Sequence, residues 1–114
     1  MIQYEGRCFR SVANSDGGDV SDGTVFRYHQ QGDLVWATYA GGAVRLGTLV
    51  AKVDDLGNLD MRYQHVSIDG QFKSGRCRSS PEVLAGGRLR LHEQWQWIDG
   101  AQGHGNSIIE EISE

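Results

Sequence analysis

The chain has 114 residues, of which 39% are hydrophobic and 23% charged, and its formal net charge is −4. That length accommodates one domain, expected over residues 1–114, and the apolar content excludes a disordered chain. Its apolar runs are far shorter than the roughly 20 residues of a membrane helix, and the acidic balance argues against nucleic-acid or anionic-membrane partners.

The segment Met1-Ile2-Gln3-Tyr4-Glu5 lacks a basic region followed by an apolar one, so a cytoplasmic location is expected. In that setting Cys8 and Cys77 stay reduced and serve as small buried hydrophobes. Sixteen glycines against one proline read as turn punctuation. Turn signals fall at Asn14 to Asp19, Gln31-Gly32-Asp33, Gly41-Gly42, Asp54 to Asn58, Asp69-Gly70, Ser80-Pro81, Gly86-Gly87 and Asp99 to Gly105. Between them lie Arg7–Val12, Thr24–Gln30, Leu34–Ala40, Val44–Val53, Leu59–Ile68, Phe72–Ser79, Arg88–Ile98 and Ser107–Ile112, which the spacing predicts as strands. No segment carries a capped amphipathic helical stripe.

Alternation assigns the faces. In Arg88–Trp97 the odd positions Leu89, Leu91, Glu93, Trp95 and Trp97 hold nearly all the apolar area and point inward. In the fifth strand Leu59, Met61, Tyr63 and His65 share one face, against Asp60, Arg62 and Gln64. The third strand is ambiguous, because Leu34, Trp36 and Thr38 compete with Val35, Ala37 and Tyr39. With short turns and no helix to cover the apolar face, the expected fold is all-β. It is a single antiparallel up-and-down meander of about eight strands closed into a small barrel.

Three stretches carry a family resemblance: Gly57-Asn58-Leu59-Asp60-Met61-Arg62-Tyr63-Gln64-His65, Ser79-Ser80-Pro81-Glu82, and Gly87 through Trp97. Together with Gly105-Asn106-Ser107-Ile108-Ile109-Glu110-Glu111, the chain resembles a family of small bacterial proteins often labelled N-acetylglutamate synthase. The resemblance implies a compact bacterial β-barrel of calycin-like, lipocalin-like form. It carries over no catalytic residue. Acetyl transfer in the usual acetyltransferase fold holds a pyrophosphate at a helix N-terminus, and this sequence offers no such helix or glycine-rich loop.

Glu93 is the most informative residue, since an inward carboxylate needs a partner or a proton. It is read either as a structural carboxylate at the barrel end, held by an arginine or backbone amides, or as a ligand anchor or general acid/base. Tyr63, His65, Trp95 and Trp97 share its inward parity and complete a candidate ligand-binding wall, with Cys77 and Ser79 inward on the neighbouring strand. A Cys77–His65 nucleophile pair would need thiol and imidazole within hydrogen-bond reach. The four histidines lack metal-ligand spacing, so no metal is expected, and no motif calls for a cofactor. Arg76, Arg78, Arg88 and Arg90, all even-numbered on adjacent strands, form an expected cross-strand patch for an anion or acidic partner.

The functional expectation is a non-catalytic barrel that binds a small, partly apolar molecule at one mouth, as a monomer or homodimer. The alternatives are an enzyme using the inward Glu/His/Tyr cluster for acid–base chemistry, and a protein-interaction module with a filled barrel.

Overall fold

A computed structural model describes residues 2–15, 17–99 and 103–113. In chain order the strands are β1 (Cys8–Asn14), β2 (Val25–Gln31), β3 (Leu34–Gly41), β4 (Val44–Val53), β5 (Leu59–Ser67), β6 (Phe72–Val83), β7 (Leu89–Asp99) and β8 (His104–Ile112), with one 3-10 turn at Ala85–Gly87. Turn chemistry sets the hairpins: Gly32 between β2 and β3 has φ of 60° and Gly70 between β5 and β6 has 86°, backbone that other residues adopt only with strain. Each strand pairs antiparallel with the next and β8 returns to β1, which closes the meander into a barrel.

Alternation decides what the barrel encloses. Leu89, Leu91, Glu93, Trp95 and Trp97 are all buried, as are Leu59, Met61, His65, Cys77 and Ser79, and Tyr63 is half-buried. On β3 the inward set is Val35, Ala37 and Tyr39; Leu34 is 41% exposed, and Trp36 stacks on His29 from the outer side.

Other differences concern strand ends. Ser80-Pro81, expected as a turn, lies inside β6, which runs on to Val83 against β7. Beyond Ser79, β6 has no β5 partner, so Pro81 stands on a one-sided stretch where a missing N–H is tolerated. The turn expected from Asp99 to Gly105 falls partly on residues 100–102, outside the described residues, and β8 begins at His104 rather than Ser107.

The two ends of the barrel are closed differently. At the end where β5 begins, Tyr4 is fully buried and its hydroxyl donates to the carbonyl of Gly57 at 2.5 Å. Phe9, Tyr28, Leu59, Leu89, Leu91 and Ile109 fill the lumen there; burying each such side chain stabilises the fold by about 1.5–3 kcal/mol. The opposite end is covered by the loop between β1 and β2, and the candidate site lies beneath it.

Candidate ligand-binding site

Aromatic side chains wall the loop-covered end, and glycines place them there. Tyr39, Tyr63 and Trp95 each stand directly opposite a glycine on the next strand: Gly47, Gly75 and Gly105. A Cβ on Gly47 would lie 2.6 Å from Tyr39 Cε1, and one on Gly105 2.5 Å from Trp95 Cζ2. The missing side chains are what let the rings lie across the neighbouring strands. Trp97 packs edge-on to Tyr63 and to His65, both at 5.7 Å between centroids, and Trp95 tilts against Trp97 at the same separation.

These rings, with Glu93, Ser107, Met61, Cys77 and the loop, enclose a cavity of about 50 Å³, room for a few water-sized groups. All five sequence-predicted wall residues, Tyr63, His65, Glu93, Trp95 and Trp97, line it.

Glu93 lies near the middle of β7 rather than at the barrel end. No arginine holds it among the described residues; it accepts a hydrogen bond from Ser107 Oγ at 3.0 Å. Burial pushes its carboxyl up from 4.5 to about 7, and the Ser107 hydroxyl offsets only part of this. Ser79 is its direct neighbour across β6 and β7. The Ser79 and Tyr28 hydroxyls are the two buried side-chain polar groups without a hydrogen-bond partner among the described residues.

A second polar chain runs along the cavity's outer rim. The Tyr39 hydroxyl meets His65 Nδ1 at 2.9 Å, and His65 Nε2 meets the Asp19 carboxylate at 3.0 Å. Lys73 Nζ, directly opposite His65 across β5 and β6, reaches the same carboxylate at 2.9 Å. Burial raises the Asp19 carboxyl, but the hydrogen bonds from His65 and Lys73 outweigh it and hold the group below its usual range. The loop is also held by the Trp97 indole, whose Nε1 donates to the carbonyl of Gly17 at 3.0 Å, while Trp95 Nε1 donates to Asn14 Oδ1 at the end of β1 at 3.1 Å.

A protein-family model described as avidin-like protein matches residues 2–112. The chain belongs to the avidin-like protein family. Comparison with curated proteins and with solved structures returns no match. The N-acetylglutamate synthase label that came with the sequence resemblance has no counterpart in this assignment to a barrel family.

The geometry of this avidin-like barrel bears on two further readings, a nucleophile pair and the arginine patch. Both His65 nitrogens are engaged, by Tyr39 and Asp19, and burial pushes the Cys77 thiol far above its usual range, so no Cys77–His65 nucleophile pair exists. The four arginines do not form one patch. Arg76 and Arg78 face Gln96 and Gln94 across β7, whereas Arg90 faces Glu82 farther along the hairpin. Arg90 also pairs with Glu110 at 3.2 Å, and Arg88 donates to the carbonyl of Glu111 at 3.2 Å. Among the described residues no three His, Cys, Asp or Glu side chains converge as a metal site requires.

Sequence reasoning missed Tyr39, Asp19, Lys73 and Ser107. Lys73 and Ser107 did carry a signal, the inward odd parity of Cys77 and the register opposite Glu93. Asp19 carried none, because it reaches the site from a loop far away in the chain.

Proposed function

We propose that the protein binds a small, partly apolar molecule in the lumen beneath the β1–β2 loop. The observation that carries this reading is the cavity floor. Glu93, whose side-chain partner among the described residues is Ser107, places unspent hydrogen-bonding capacity there, and Tyr63, Trp95 and Trp97 supply apolar walls above it. Binding sites combine these features: mostly apolar walls with a few convergent polar groups. Membership of the avidin-like family agrees with a small-ligand barrel.

A carboxyl titrating near neutrality also suits acid–base chemistry. The surrounding groups favour binding. Burial pushes the Tyr39, Tyr63 and Cys77 protons out of reach near neutral pH, and His65 is bonded on both sides. Among the described residues Glu93 therefore lacks a second proton-exchanging partner.

Calorimetry of neutral aromatic probes such as phenol and indole against wild type and Trp97→Ala tests the reading. Binding to wild type that is lost in Trp97→Ala is the expected result. Equal binding to both proteins would move the site out of the lumen.

A further inference from the structure

The rim of the cavity contains an anion site that the protein fills with its own side chain. His65 and Lys73 face each other on adjacent strands, so their nitrogens are held by the barrel wall. The His65 side chain is 1% exposed, and the Tyr39 hydroxyl braces its far nitrogen at 2.9 Å. Lys73 is 19% exposed and lies over the Trp97 ring at 5.6 Å, which fixes its position further. The carboxylate they hold belongs to the covering loop. Asp19 reaches in from between β1 and β2 to take His65 Nε2 at 3.0 Å and Lys73 Nζ at 2.9 Å.

The loop is anchored at its ends, where the Asn106 N–H donates to Ser15 Oγ at 3.0 Å and Thr24 Oγ1 donates to the Gly41 carbonyl at 2.9 Å. Around Asp19 its side-chain ties among the described residues are Trp97 Nε1 to the Gly17 carbonyl at 3.0 Å and Asn14 Nδ2 to the Val20 carbonyl at 2.8 Å. The enclosed space of about 50 Å³ is too small for most metabolites, so a ligand of ordinary size needs the loop to lift. Lifting it withdraws Asp19 and leaves two wall-mounted donors, one cationic, at the edge of an aromatic cavity.

We propose that the lumen takes a small carboxylic acid, whose carboxylate replaces that of Asp19 on His65 and Lys73 while its apolar body lies against Trp97 and Tyr63. This rests on the lumen-binding reading and adds the ligand's chemical class. Asp19 acts as an internal competitor, so the measured affinity for such an acid is the difference between its contacts and those of the loop. A neutral ligand gains nothing from the site that Asp19 vacates.

The test uses matched probes, benzoate with benzamide and hexanoate with hexanamide, titrated calorimetrically. The proteins are wild type, Asp19→Ala, Asp19→Asn and Lys73→Met, each first shown to be folded by circular dichroism. Asp19→Asn keeps the loop's shape while removing the competing charge, which guards against a fold defect in the alanine variant. The expected result is that both Asp19 variants bind the carboxylates at least about tenfold more tightly than wild type and prefer each carboxylate over its matched amide. Lys73→Met should lose the preference for carboxylates. No preference for carboxylate over matched amide in the Asp19 variants, or no gain in carboxylate affinity while neutral probes still bind the lumen, would overturn the proposal and leave the lumen reading standing. Failure of every probe, phenol and indole included, to bind any of the four proteins would overturn both.

Discussion

Tyr63 on β5 lies directly opposite Gly75 on β6, and a Cβ on Gly75 would stand 2.5 Å from Tyr63 Cζ and 2.6 Å from the carbonyl oxygen of Gln96. The ring can turn aside; the carbonyl belongs to the β7 ladder and cannot. Gly75→Ala is therefore expected to destabilise the barrel by about 2–3 kcal/mol, as overpacking does. Adding Tyr63→Ala should recover only part of the loss, because the carbonyl contact persists. Urea denaturation of the single and double variants measures both. Full recovery in the double variant would mean that the ring alone demands the glycine.

Glu93 gives the protein a signed pH dependence. Its carboxyl titrates near 7 in the folded barrel, against 4.5 as its ordinary value in an unfolded chain. Below 4.5 both states hold the proton, and the stability linked to this group is fully present. As pH rises from 4.5 to 7 only the unfolded chain ionises, so stability falls, levelling off above 7 after a loss of about 3 kcal/mol. Glu93→Gln removes that term. It is expected to be more stable than wild type near pH 8, by up to about 3 kcal/mol, and to match it near pH 4. The other carboxylates titrate in both proteins and cancel in the difference. A variant less stable than wild type at the higher pH would show that Glu93 is held by a cationic partner after all.

The two thiols should separate cleanly by accessibility. Cys77 is buried in the lumen wall with its thiol pushed far above the usual range, whereas Cys8 is half-buried. A disulfide reagent near neutral pH is expected to label Cys8 in the folded protein and Cys77 only as the barrel opens, at a rate that rises with added urea. Equal fast rates for both would place Cys77 outside the lumen.

Much of this was legible because strands have period two. Inward parity on β5 and β7 followed from the weight of Leu, Met and Trp on one face, and it brought Tyr63, His65, Glu93, Trp95 and Trp97 together. The rule weakened on β3, where Leu34 and Trp36 put apolar area outside; Trp36 spends part of its surface on His29. Gly47 and Gly75 fall inside expected strands and Gly105 at the end of an expected turn, but all three are strand residues whose reason is the ring opposite, a pairing visible only once the register is known. The arginine patch dissolved for a related reason. β6 runs on through Pro81, so Glu82 rather than Arg78 faces Arg90. Asp19 was out of reach of local pattern altogether, since its partners lie on β5 and β6.

Crystallographic soaking with a library of small polar-aromatic fragments tests most directly whether the lumen is a binding site. Fragment density is expected inside the barrel, bounded by Tyr63, Trp95 and Trp97, with a polar atom on Glu93 or Ser107 and the β1–β2 loop displaced. Fragments confined to the outer face, with the loop still closed on His65 and Lys73 and the lumen holding only water, would contradict it.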